Sequence, residues 1–174
     1  MVAVRTLTAY KSLVSYFEMH DIERQISAAQ GYSELAMYDD ALAELNAIAP
    51  EFAERTDVLE TRLLVLMHAM RWKESLVVSR KLCKSNPDSA SGFIHAAFCL
   101  HELGRTQDAK ALLVEGPPTL LKEPTYHYNL ACYEARLGNL AEAHAHLETS
   151  FAMDRKFREF AKSDSDLQPL WHLL

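Results

Sequence analysis

The stretch that decides the fold is residues 125–154, TYHYNLACYEARLGNLAEAHAHLETSFAMD. Gly138 lies near its middle, and Gly104 lies 34 residues earlier in a similar setting. Self-similarity at a fixed spacing is the signature of a repeat architecture. Stepping back by the same 34 residues divides the chain, without a gap, into four blocks: 22–55, 56–89, 90–123 and 124–157.

Columns of equivalent positions show what the blocks share. Small residues dominate the eighth and twentieth positions, where they are Ala29, Leu63, Ala97, Ala131, Ala41, Ser75, Ala109 and Ala143. Apolar residues dominate the fourteenth, seventeenth and twenty-fourth positions, where they are Leu35, Ala69, Leu103, Leu137, Tyr38, Trp72, Thr106, Leu140, Leu45, Ser79, Leu113 and Leu147. Small side chains let two antiparallel helices approach, and larger ones fill the groove between them.

Turn residues support the same division. Gly104 and Gly138 follow the first helix of their blocks, where a left-handed cap is easiest for glycine. Asn139 and Glu142 have the spacing of a capping box that opens a second helix, and Pro87 follows the end of one. With only five glycines and six prolines, the composition favours an all-α chain. Each block is therefore predicted to be helix, tight turn, helix and linker.

These residues resemble the tetratricopeptide repeat (TPR) family. Block four carries the resemblance most fully, through Leu130, Ala131, Gly138, Ala143 and Leu147. The other blocks carry it through Ala97, Leu100, Gly104, Ala109, Leu113, Ala29, Tyr32, Tyr38, Ala41, Leu45, Leu66, Trp72, Leu82 and Pro87. The resemblance implies a right-handed α-α superhelix of four helix-turn-helix repeats over residues 22–157.

Block three departs from the pattern at Gly116, Pro117 and Pro118. Because proline removes a donor and clashes inside a helix, its second helix should be short. The segment 116–124, GPPTLLKEP, is interpreted either as a modified linker, which breaker residues favour, or as a recognition loop.

Both ends of the chain are predicted to cap the stack. Residues 1–21 carry apolar side chains at helical spacing and predict an N-terminal helix, either a cap or a homodimer contact. In residues 158–174, Leu170, Trp171, Leu173 and Leu174 are expected to cover the apolar flank of block four.

Composition narrows the function classes. The formal net charge is −6 and the basic residues are scattered, so nucleic acid is not an expected partner. The sequence shows no signal peptide and no apolar run of membrane-spanning length, and its three cysteines form no framework. These features predict a protein of the reducing cytoplasm without a membrane partner.

No catalytic, metal or cofactor motif is expected either. His144 and His146 are two residues apart and would face different ways on a helix, which disfavours chelation. Cys83, Cys99 and Cys132 are interpreted as small buried hydrophobes at inward or near-inward positions of first helices. We therefore predict no enzyme activity, no metal and no cofactor.

The family resemblance implies a concave groove lined by the first helices, with contacts at the second, fifth, ninth, twelfth and thirteenth positions of each block. Carried over, these positions hold Gln30, Ser33, Glu34, Glu60, Leu64, Met67, His68, Ile94, Phe98, His101, Glu102, Tyr128, Cys132 and Arg136. The candidate partner-binding residues are Met67, His68, His95, Phe98, His101, Tyr128, Asn129 and Arg136. Such a mixture suits a peptide or partner segment.

One TPR subfamily recognises C-terminal carboxylates through lysine and asparagine. This chain has Ser27, Thr61 and His95 at the matching places, so that mode is disfavoured. The main prediction is a protein-interaction adaptor. The alternatives are a dedicated chaperone, because residues 92–109 resemble part of the small TPR chaperones of type III secretion, and an enzyme or enzyme subunit.

Overall fold

A computed structural model describes residues 20–173 of the chain. These residues form two compact units, which divide between Met70 and Arg71. Most of the predicted N-terminal helix, residues 1–19, and Leu174 of the predicted tail cap lie outside the described residues.

Unit 1, residues 20–70, consists of three helices. The described part of helix α1 covers residues 20–34, α2 spans Tyr38–Asn46 and α3 spans Thr56–His68. A short 3-10 helix, Pro50–Phe52, lies between α2 and α3. Helix α2 packs on α3, and Arg62 of α3 donates hydrogen bonds to Asn46 Oδ1 at 2.7 Å and to the Leu45 carbonyl at 2.9 Å.

Unit 2, residues 71–173, contains the remaining helices. They are α4, Trp72–Ser85; α5, Ala90–Glu102; α6, Thr106–Val114; α7, Pro124–Arg136; α8, Leu140–Met153; and α9, Lys156–Ala161. Two 3-10 helices, Pro118–Lys122 and Ser165–Leu173, complete it. Consecutive helices pack as pairs from α4 to α8, and the last 3-10 helix packs on α7.

Helix starts repeat at a constant interval of the sequence. First helices begin at Thr56, Ala90 and Pro124, and second helices at Tyr38, Trp72, Thr106 and Leu140. No strand occurs among residues 20–173, and no helix in that range is long and apolar enough to cross a membrane. The prediction of an all-α helical-repeat fold is confirmed.

The small-residue columns lie at the helix interfaces. All residues at the eighth, twentieth and twenty-fourth positions are 2% exposed or less. Two of them are serines, and both are satisfied inside α4, because Ser75 Oγ donates to the Arg71 carbonyl and Ser79 Oγ donates to the Ser75 carbonyl. The fourteenth position is different: Leu35 is 72% exposed, so its assignment to the apolar interior is wrong.

The turns inside the blocks share a left-handed residue. Gly104 and Gly138 have φ of +77° and +86°, as predicted, and Ala36 and Met70 adopt the same conformation at φ of 58° and 54°. The Gly138 turn is closed by the Asn139 amide, which donates to the Glu134 carbonyl at 2.9 Å. Since every block needs this conformation, the turn persists even where the sequence lacks glycine.

The predicted capping box at Asn139 is wrong. Its side chain makes no cap hydrogen bond to α8, and Asn139 Nδ2 donates instead to Glu134 Oε2 at 2.8 Å. Glu134 also pairs with Lys110 at 2.8 Å, so it recruits the asparagine into a polar cluster between α6 and α7.

The linker after α6 is packed into unit 2. Helix α6 ends at Val114, as the following glycine and prolines predict, and Leu120 of the 3-10 helix is buried at 1% exposure. A side chain at Gly116 would collide with Leu120, which explains the glycine. Thr119 Oγ1 donates to the Asp88 carbonyl at 2.7 Å and ties the linker to the preceding repeat.

The cysteine placement is wrong for one residue. Cys99 and Cys132 are buried on the first helices α5 and α7, but Cys83 is half-buried on the second helix α4. Its backbone lies close to Gly92 of α5, where an added Cβ would stand 2.9 Å from the Cys83 nitrogen. Glycine at that crossing therefore lets α4 and α5 approach closely.

Candidate protein-binding surfaces

Unit 1 carries an open groove between its two first helices. Helices α1 and α3 line this groove, which has a volume of about 280 Å³. The lining residues are Gln30, Ser33, Glu34, Thr61, Leu64, Val65 and His68. Most stand at the contact positions that the family resemblance implies, so helical spacing places them on one face.

The groove combines apolar and hydrogen-bonding groups. Leu64 is 48% exposed, and Val65 beside it is buried. Ser33 Oγ lies 3.2 Å from His68 Nδ1, which links α1 to α3 through a polar pair at the surface. Glu34 adds an exposed carboxylate. Of the two candidate residues from unit 1, His68 lines the groove and Met67, half-buried, does not.

In unit 2 the corresponding face, on α5 and α7, is covered by residues 163–173, which we call the tail. His101 Nε2 donates to Asp166 Oδ2 at 2.7 Å, and Arg136 Nε lies 3.5 Å from Asp166 Oδ1. The Tyr128 hydroxyl donates to Asp164 Oδ2 at 2.8 Å, and the Cys132 thiol lies 3.6 Å from the same oxygen. Four side chains of α5 and α7 thus contact two aspartates of the tail.

The electrostatics of this contact follow from burial and pairing. The hydrogen bond from His101 lowers the pKa of Asp166 despite partial desolvation. Burial, together with the Asp164 carboxylate, raises the pKa of the Cys132 thiol well above its usual value. At neutral pH Asp166 is therefore an anionic carboxylate, and Cys132 is a neutral thiol.

Cys132, Asp164 and Asp166 also place their ligand atoms within 4.8 Å of one another. Both carboxylates are already hydrogen-bonded, and the neutral buried thiol would have to lose its proton to bind a cation. The donor set, one soft thiol with two hard carboxylates, matches no common metal preference. The contact is better explained as a hydrogen-bonded lock on the tail.

Apolar groups anchor the same segment. Leu167 and Leu170 are 0% and 1% exposed. Beside them in the unit, the Phe157 ring of α9 lies 5.0 Å from that of Tyr128, the partner of Asp164. Trp171 and Leu173, predicted to cover the flank of block four, are 42% and 51% exposed and so contribute less cover than the two leucines. Trp171 donates its indole N–H to the Ala161 carbonyl at 3.0 Å. Leu167, absent from the sequence-based prediction, is fully buried.

The remaining candidate residues of unit 2 have separate positions. The Phe98 ring packs edge-on against Trp72 at 5.7 Å between centroids. His95 Nδ1 donates to the Ser91 carbonyl at 2.8 Å and lines a second cavity, of about 370 Å³, beside the starts of α5 and α7. Tyr128 and Asn129 are buried at 8% and 9% exposure, so neither is an open contact in this conformation.

Sequence reasoning missed two features of unit 2. The Asp164 and Asp166 pair was visible as two acidic residues in the polar part of the tail, but its partners lie 36 and 65 residues away in sequence. His127 Nδ1 lies 3.5 Å from His146 Nδ1, a pairing between α7 and α8 that spacing along one helix could not indicate.

Comparisons with known proteins show the fold. No protein-family model matches the chain, and no curated protein matches it in sequence. Solved structures of MamA, a TPR-like helical-repeat protein, are similar. "MamA RS-1 ArsTM double mutant" is 16% identical with a TM-score of 0.68, over 88% of this chain and 84% of that one.

A second MamA structure agrees with the first. "MamA MSR-1 C2" is also 16% identical, with a TM-score of 0.65 over 78% of each chain. At this level of identity the likeness shows a TPR-like helical-repeat architecture and carries no information on partners.

Proposed function

We propose that this protein is a protein-interaction scaffold that binds a partner segment in the open groove of unit 1. The observation that carries the proposal is the juxtaposition of a half-exposed leucine, Leu64, with the polar pair Ser33 and His68. Apolar area beside a few fixed hydrogen-bonding groups is the usual composition of a peptide-binding groove.

The groove chemistry indicates the kind of segment that it binds. An apolar side chain would cover Leu64 and remove its exposed surface from water. Hydrogen-bonding groups of the segment would meet Ser33 and His68, and a basic side chain would face Glu34. We therefore propose a partner segment that is apolar and basic, consistent with the net charge of −6 of this chain.

Binding, not catalysis, is the proposed role. Burial raises the pKa of Cys83 and of Cys99 to about 11. Since the thiolate is the reactive form of cysteine, both side chains are poor nucleophiles at neutral pH.

The test compares two exposed apolar residues on different helices. Leu64→Ser removes the apolar floor of the groove, whereas Val77→Ser changes a 59% exposed residue on the second helix α4. A partner is first captured from the native cell with the unmodified chain and identified by mass spectrometry. Its affinity for each variant is then measured by calorimetry, with thermal unfolding recorded alongside.

We expect Leu64→Ser to weaken binding by about 2 kcal/mol or more, roughly thirtyfold, as for an interface anchor. Thermal stability of both variants should stay within about 0.5 kcal/mol of the unmodified chain. Equal affinities of the two variants would place the binding site outside this groove.

A further inference from the structure

The two units present the same face of their first helices in different states. In unit 1 the ninth, twelfth and thirteenth positions of the blocks line an open groove, through residues such as Ser33 and His68. In unit 2 the equivalent positions include Cys132, His101 and Arg136, and all three lie against the C-terminal segment. The tail therefore occupies, within unit 2, the surface that is a groove in unit 1.

The contacts of the tail are those of a peptide ligand. Two aspartates, two residues apart, meet a histidine, an arginine and a tyrosine hydroxyl. A leucine follows at once, Leu167, and a second leucine, Leu170, lies three residues further; both are fully buried. Carboxylates bound by cationic and hydroxyl donors give specificity, and buried leucines give affinity.

Other features distinguish this segment from a permanent helical cap. It is a 3-10 helix, Ser165–Leu173, and this form has poorer hydrogen-bond geometry than an α-helix. Its distal residues Trp171 and Leu173 remain about half exposed. The contacts that hold the tail are thus concentrated at Asp164, Asp166, Leu167 and Leu170.

We propose that the face of α5 and α7 in unit 2 is a second binding surface, for a partner segment with the pattern Asp-x-Asp-Leu-x-x-Leu, and that residues 163–173 are its resident intramolecular occupant. A partner segment of this chemistry binds by displacing the tail. The inference rests on the proposed scaffold function and adds a second, acidic class of partner together with its regulation. Because the tail is tethered, it competes at high effective concentration and keeps the surface closed until such a segment is abundant.

The chain contains a reporter for opening. Cys132 is 5% exposed and lies beneath Asp164, so alkylation at this thiol requires the tail to move. Cys99 is 0% exposed in the same unit, beside Ser75 and Ser79 of α4, and reports unfolding of the unit. Alkylation at each cysteine is resolved by mass spectrometry of peptides.

The experiment uses the full chain carrying Asp164→Asn and Asp166→Asn together. The probe is a labelled synthetic peptide of residues 162–173, KSDSDLQPLWHL, and the control peptide has asparagine in place of both aspartates. The control protein carries Asp108→Asn, which breaks an exposed pair with Arg105 in the same unit. Binding is followed by fluorescence anisotropy.

We expect Cys132 of the double variant to be alkylated about tenfold faster, at an unchanged Cys99 rate. The acidic peptide should bind the double variant about tenfold more tightly than it binds the unmodified chain or the Asp108→Asn protein. The asparagine peptide should show no such gain in affinity. An unchanged Cys132 rate, or a freed Cys132 without peptide binding, would overturn the proposal.

A second measurement tests the same proposal on the unmodified chain, in case the double variant does not fold. Hydrogen exchange of the unmodified chain is recorded with and without excess acidic peptide. Amides of residues 164–173 should lose protection while those of α3 keep theirs, and no change at saturating peptide would also overturn the proposal. Neither measurement involves Leu64, so failure here leaves the result for the unit 1 groove intact.

Discussion

At the scale of single residues, the turn conformation matters more than the amino acid that occupies it. Within residues 20–173, four turns contain a residue with positive φ, and two of these residues, Gly104 and Gly138, are glycines. Ala36 and Met70 adopt this conformation although a side chain makes it strained there, which glycine would avoid. Searching the sequence for glycine therefore identifies two of these four turns.

We predict opposite effects for the same substitution at two glycines. At Gly138, φ is +86° and an added Cβ meets nothing within 4 Å, so Gly138→Ala introduces only the left-handed strain. It should lower the free energy of unfolding by about 1 kcal/mol. Gly31 lies inside α1 with equally open space, and Gly31→Ala should raise the free energy by about 0.5 to 1 kcal/mol.

Chemical denaturation of both variants measures these changes. Two changes of the same sign would show that the left-handed turn conformation does not determine the stability of this repeat.

At the scale of elements, the C-terminal 3-10 helix shows how a cap is chosen by geometry more than by hydrophobicity. Trp171 is the largest apolar residue of this element and Leu173 is its last one, yet both remain about half exposed. Leu167 and Leu170 are three residues apart, one turn of a 3-10 helix, so they share the face that meets α7.

Two leucine truncations in this element should differ sharply. Leu167→Ala empties a fully buried site and should cost about 2 to 5 kcal/mol of unfolding free energy. Leu173→Ala changes a residue that is 51% exposed and should cost within about 0.5 kcal/mol. Urea denaturation distinguishes them, and a small loss for Leu167→Ala would mean that the tail does not cap the unit.

At the scale of the whole molecule, the sequence predicts the repeat better than the surfaces. Local sequence patterns predict the constant interval between helix starts and the short α6. They also predict the burial of the small residues at the eighth and twentieth positions. The positions lining the groove in unit 1 follow from helical periodicity. These features depend on interactions between near neighbours in sequence.

The state of the second surface could not be predicted in the same way. His101 and Asp166 are 65 residues apart, and no local rule brings them together. Tyr128, which is buried, donates a hydrogen bond to Asp164 and so belongs to the same long-range docking of the tail. A repeat pattern identifies which side chains can face a groove, whereas occupancy of that groove is a tertiary property.

The most direct test of the scaffold function is photo-crosslinking in the native cell. A benzophenone amino acid is placed at Leu64, in the groove of unit 1, or at Val77 on α4, which is somewhat more exposed than Leu64. The scaffold account predicts one defined protein adduct from position 64 that is absent from position 77. The same adduct from position 77, or no adduct from position 64, would contradict it.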